Sequence, residues 1–573
     1  GVFTMDAALN HSYSLLGLAG AIGAFVSVGA GVVSFVDTSD TFALLGDTPD
    51  SSASGALVVT DFETVDVTAT SNQTVKAAAG SGAIGAAAAG VSVVYVDMQG
   101  DTKAAVGSGS LIGTEAGGSD AVGDLSVNAV GTIDVGGQGD TGDTSMVIAV
   151  SAGLGGFSGG FAILKESSDV AALIGSDSVI HLTGALDVDA AATRNLVAEA
   201  DGGALGVVGI GVMSAATTVA GATTARLGAG STVRSGSVGV AATADNSVSS
   251  TVIAGAGGIV AVDINAANAT IDADVTAELG EGSDIATSTT GGGTGNIDVV
   301  ATSNMHGDTT AFGIEVGVGT AGASTATTTI NPSVSAVAGA DVTLDAEGAV
   351  NIVAAHTMNA SLSDTTLKGA SSAAEPSGGG VIAANGGTAT SEASANVTAN
   401  IGNDATIKGE LGLIVRSEAQ NYAYADAETI TVGLVGVGTV EADSTSNGVT
   451  QAWVGDNSQV TARSLDVESI GENRAEAYAK AVTGGVLTGT GAIATANTTP
   501  MNEAWLGSDV YVLTDAEVDV IASEVAEADA TAKGTSVSVI DFSSGDSSQA
   551  GSSVATAYLG DPQSLDDAKI SSV

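Results

Sequence analysis

No cysteine occurs in the 573 residues. That excludes a disulfide scaffold, thiolate metal ligands and a cysteine nucleophile. Bases are scarce: 14 Lys and Arg stand against 64 Asp and Glu, for a formal net charge of -50. A nucleic-acid binder needs a basic patch to neutralise phosphates, so no nucleic-acid partner is expected, and anionic membrane surfaces should repel the chain. Aromatic residues make up only 3%. A core poor in Phe and Trp is thin and suits sheets packed closely face to face. The five prolines (Pro49, Pro332, Pro376, Pro500, Pro562) fall where turns or insertions are expected, as strands require. Only four histidines are present (His11, His181, His306, His356), and none pairs with another at ligand spacing. No G-x-S-x-G elbow, P-loop or H-E-x-x-H motif occurs, so no enzymatic activity is expected.

What remains is abundant and small. Hydrophobic residues make up 44%, and glycine contributes 81 positions. The length exceeds one ordinary core, which points to several domains or a repeat array. A 22-residue uncharged run, LLGLAGAIGAFVSVGAGVVSFV at 15–36, is long enough for a membrane helix. Its bulkier residues, however, fall on even numbers (Leu16, Leu18, Ile22, Val26, Val28, Val32, Val36), which is the period of a strand. Related stretches carry Glu315 and Glu441. A buried pair of strands is therefore expected, with no transmembrane segment.

The repeat is explicit. A motif of Ala, any residue, an aliphatic residue and Gly ends at Gly46, Gly107, Gly175, Gly228, Gly280, Gly339, Gly402, Gly455, Gly507 and Gly560. Five of the intervals are 52 or 53 residues, and the longer ones carry insertions. The alternation reads as a strand with Ala and the aliphatic residue inward. After each Gly comes a polar turn, then an alternating strand such as LDVES at 465–469. Asn72, Asn195, Asn246, Asn304, Asn421 and Asn473 occupy nearly matching places beyond it and suit a hydrogen-bonded ladder. Arms with alternating Ala follow, then Gly/Val-rich arms such as TVGLVGVGTV at 431–440. The expected fold is an all-β parallel β-solenoid, one continuous array over 1–573. It has about ten repeats of ~53 residues with one or two coils each, strands stacking about 4.8 Å apart. If one unit is one coil, Trp453, Trp505 and Tyr558 stack. The Gly/Ser-rich tract 361–390 reads as a protruding insertion. The array opens midway through a unit and shows no obvious cap, as a segment of a longer array would.

Acidic turns are the one candidate chemistry. Asp47, Asp456 and Asp561 directly follow the motif Gly, while Asp177, Asp341, Asp404 and Asp509 follow it by two. Stacked like charges call for calcium, a hard cation with oxygen ligands, or for diffuse counterions.

The A-x-[LIV]-G, L-x-V-x-A and G-V-G cadence resembles the repeats of large bacterial surface proteins, the haemagglutinin-like adhesins and autotransporter passengers. The resemblance implies an extracellular, elongated, non-catalytic structural or adhesive fibre, with homotypic end-to-end or lateral association. A glycan- or receptor-binding module acting through 361–390 is the alternative, and a polysaccharide-cleaving solenoid enzyme a distant third.

Overall fold

The structure is a computed structural model that describes residues 1–49, 57–114, 121–136, 145–289, 293–358, 369–559 and 569–572. Strands dominate it, and no helix among the described residues is long and apolar enough to cross a membrane. All pairing between strands of successive units is parallel, as the repeat predicts.

One unit makes one coil. In a representative unit the motif strand Val449–Val454 leads through a turn to the short strand Gln459–Ala462. The chain then runs outward along Leu465–Gly484, reverses, and returns along Leu487–Thr498 into the next motif strand, Met501–Leu506. Each strand pairs with its counterpart about one unit away, for example Leu413 with Leu465 and Leu465 with Val518. Motif strands and short strands each form a ten-stranded sheet, and the arms form a sixteen-stranded one. The choice between one coil and two is thus settled as one wide, flat coil. Trp453 stacks on Trp505 at 4.6 Å and 7°, and Trp505 on Tyr558 at 5.7 Å and 9°.

The flat coil follows from side-chain size. Along the outgoing arm the inward residues are Leu465 and Val467 at the base, Ala475, Ala477, Ala479 and Ala481 in the middle, and Thr483 near the tip. The interior therefore tapers, and the two layers close into a blade. An outgoing arm of 20 residues spans roughly 66 Å at about 3.3 Å per residue. Ten rungs stack to only about 43 Å, so the body is wider than it is tall.

Two expectations need correction. The tract 361–390 is not a protrusion in its described part: Ala370–Ala393 is a strand of the arm sheet, paired on both sides. Ser372, Gly378 and Gly387 face the narrow interior, where small residues fit. Residues 361–368 lie outside the described residues. The run at 15–36 is indeed a strand pair, Val2–Ile22 and Val26–Asp37, but its bulky residues are not buried. Leu18 is 73% and Val26 70% exposed, whereas the small residues point inward. Near the tip the two layers approach so closely that the inward positions of this rung are taken by Gly, Ala and Ser.

Candidate functional site

The acidic candidates lie in the base turns. Motif glycines are required by stacking. A β-carbon on Gly339 would lie 2.6 Å from the Glu281 backbone nitrogen, and one on Gly402 2.5 Å from that of Ala340. Two residues on, the backbone enters the left-handed region, which favours Gly, Asn and Asp. Asp177, Asp404 and Asp509 have φ of 56°, 59° and 55°, and Asn457, Gly230 and Gly282 hold the same place in other rungs. Their amides bond up the stack, Asp177 to the Ala229 carbonyl and Asp404 to that of Asp456. Asp456 Oδ1 accepts from the Ser508 amide at 2.7 Å, and Asp47 Oδ1 from its neighbour Thr48 at 2.9 Å. Backbone geometry thus favours an acid at Asp177, Asp404 and Asp509, and local amide hydrogen bonds engage Asp47 and Asp456. Asp561 lies outside the described residues. No group of three or more His, Asp or Glu suited to a metal occurs among the described residues.

The asparagine ladder exists in part. Asn421 donates to Asn473 Oδ1 at 3.1 Å, and Asn473 to Glu524 Oε1 at 2.9 Å. In the same inward column Arg194 sits fully buried, its Nε 3.0 Å from Glu166 Oε2 and its Nη2 donating to the Ser168 carbonyl. Asn72, Asn195 and Asn304 face outward instead, one residue out of phase. His306 and His356 lie on opposite faces of the arm sheet. His356 is buried against the Ser303 hydroxyl at 2.6 Å, and burial pushes its imidazole down to about 3.

Deeper in the blade a polar ladder was not anticipated. Asp263, Asn265, Glu315 and Asn385 point inward over Gly211, Gly313, Gly322 and Gly378, glycines whose missing side chains make the room. Asn265 donates to Asp263 Oδ2 at 2.9 Å. Both Glu315 carboxylate oxygens, Asp263 Oδ1, Asn265 Oδ1 and Asn385 Oδ1 have no hydrogen-bond partner. Acceptors outnumber donors, so a proton is favoured. Burial, then the charge of Asp263, pushes the Glu315 carboxyl up to about 8, and burial brings Asp263 to about 6.

The outer edge of the blade carries the feature with most surface consequence. At each reversal one residue stands at the apex: Phe25, Ala86, Leu154, Val207, Ile259, Val318, Val381, Leu434, Val486 and Val539. Nine of these ten are large and apolar, and all nine are exposed, from 44% for Val207 to 82% for Phe25. The residue before the apex is Gly from Gly85 to Gly485. A β-carbon there would strike the glycine carbonyl of the preceding rung, at 2.6 Å for Gly206 and 2.8 Å for Gly433. Close approach of backbones at the reversal thus fixes the glycine and turns its successor outward.

The returning arms continue this crest. Their first three outward columns begin Val26, Val28, Ala30 in the first rung and Ile540, Phe542, Ser544 in the last. All thirty positions are uncharged. The outgoing face differs, with Asp201, Glu428, Lys480 and Lys533 within its third column. A recess of about 330 Å³ lies on the returning face over Ala87, Ala89 and Gly155, flanked by Val26, Val28, Phe157 and Val208. Sequence reasoning found the Gly/Val-rich arms but turned their bulk inward. The missed signal was the Gly–aliphatic pair, 30 or 31 residues past the motif glycine in the units starting at Gly175, Gly228, Gly402 and Gly455.

No protein-family model, curated protein or solved structure matches the chain.

Proposed function

We propose that this chain is a non-catalytic structural and adhesive element of an extracellular surface fibre, and that it acts through its apolar crest. The observation that carries the reading is the uncharged crest running along every rung of an in-register stack. Exposed contiguous apolar patches of more than a few hundred Å² mark interaction surfaces. The mechanism is geometric. Stacked rungs supply rigidity, wide coils hold the crest roughly 66 Å from the acidic base turns, and the net charge of -50 keeps the rest of the surface solvated. The cadence shared with bacterial surface repeats supports placement outside the cell.

The test is adsorption of the purified full chain to alkyl-terminated and hydroxyl-terminated monolayers. The expected result is at least tenfold preference for alkyl, lost when Val260→Asp and Ile382→Asp are combined. Equal adsorption to both surfaces would refute the reading.

A further inference from the structure

We propose that the returning face of the crest packs against the same face of a second copy of this chain. The inference rests on the crest being a contact surface, and it names the occupant. Three observations on that face favour a second copy.

Area is the first. Three outward columns occupy six residues of strand, about 20 Å, along about 43 Å of stack, which gives roughly 860 Å² per copy. A standard specific interface buries about 800 Å² per partner.

Period is the second. Side chains stand in columns with one step per rung, about 4.8 Å. Another copy presents the same step, so projecting residues of one face meet gaps of the other along the whole strip, as in dry interfaces between like sheets. The relief is there: Phe157, Ile264, Ile382 and Phe542 project, while Ala87, Ala89, Gly155, Gly319 and Gly489 leave gaps. A lipid surface has no such period and would make no use of the recess.

Charge is the third. Two strongly acidic bodies repel, yet overlapped crests keep their base turns many Debye lengths apart, since that length is about 8 Å at physiological salt. The outgoing face, with Asp201, Glu428, Lys480 and Lys533 in its third column, would take charged groups out of water, which singles out the uncharged returning face. The contact is self-complementary, the same patch serving both copies.

Sedimentation velocity of the full chain from about 1 to 50 µM is the test, at about 50 and 500 mM NaCl. The expected result is a monomer–dimer equilibrium that tightens at high salt, because screening removes repulsion and leaves apolar burial. Val260→Asp combined with Ile382→Asp should weaken the dimer at least tenfold, and Leu411→Asp, exposed at the base, should leave it unchanged. The absence of cysteine allows a second measurement that needs no disruptive change. Val437→Cys should crosslink to covalent dimer with a bis-maleimide, and Leu411→Cys should not. A monomer at every concentration, a dimer indifferent to the aspartates, or equal crosslinking at 437 and 411 would overturn the proposal. So would a monomer that floats with phosphatidylcholine vesicles, which would make lipid the occupant. Alkyl-surface preference without dimerisation would leave the crest a contact surface and remove only the second copy.

Discussion

Replacing Glu315 by Gln should abolish a pH dependence that the native arm carries. The carboxyl is fully buried with both oxygens unpartnered, and it faces Asp263 across a glycine-lined space. Its ordinary value of 4.5 is pushed up to about 8 in the fold. Below 4.5 both folded and unfolded chains hold the proton, and the group contributes nothing to pH dependence. Between 4.5 and 8 the folded arm holds a proton that the unfolded arm has lost. Stability therefore falls as pH rises through this window and is fully lost above 8. At about 1.4 kcal/mol per unit the whole window amounts to roughly 5 kcal/mol, as a ceiling. Repeat arrays open locally, so amide exchange of peptides covering 312–324 is the appropriate assay, corrected for intrinsic rate. Protection of the native peptide should drop steeply between pH 6 and 8.5. In Glu315→Gln it should stay level, because the amide is neutral throughout and its NH2 can donate to the unpartnered Asp263 Oδ1 or Asn385 Oδ1. At pH 8.5 the variant should be the better protected of the two. Parallel pH dependence in the two proteins would refute the argument that this carboxyl is held neutral by burial.

Gly339→Ala should destabilise its coil by about 1–3 kcal/mol, since the new carbon meets backbone of the rung below. Gly82→Ala meets nothing within 4 Å and should be neutral; equal exchange protection in the two variants would contradict the stacking account. Trp505→Ala removes two ring stacks, expected to cost about 1–3 kcal/mol. It should also erase the coupled near-ultraviolet circular dichroism of Trp453 and Trp505. His356 should remain neutral by NMR down to about pH 4, because its imidazole is pushed down to about 3. The penalty of charging it then appears only as pH falls from 6.5 towards 3, and titration near 6.5 would show the ring to be solvated.

Much of the fold was legible because stacking writes itself into sequence. A parallel rung places identical environments one unit apart, so the Ala-x-aliphatic-Gly strand, the polar turn and the alternating Ala arm recur with fixed phase. The motif glycine is legible for the same reason: from Gly107 to Gly507 a β-carbon there meets backbone of the rung below. The Trp453–Trp505–Tyr558 stack needed only the decision that one unit is one coil. The base-turn acids were legible as a pattern but not in meaning. Asp177, Asp404 and Asp509 fill a left-handed backbone position that Asn457 and Gly230 fill elsewhere, and composition alone does not separate that use from cation binding.

The sequence by itself determined strand period, unit length, parallel stacking and the exclusion of cysteine chemistry. Tertiary structure decided which way each alternating face points. Period two states that the faces differ, not which is inside. At the base the wide interior takes Leu465 and Val467, but near the tip the layers converge, larger inward side chains need a facing glycine, and Phe25, Leu154, Ile259 and Leu434 are turned to the outside. The same narrowing buries Glu315 beside Asp263 although they are 52 residues apart in the chain. Both the apolar crest and the proton-holding ladder are products of the coil closing into a blade, a property of the distance between two layers and not of any one strand.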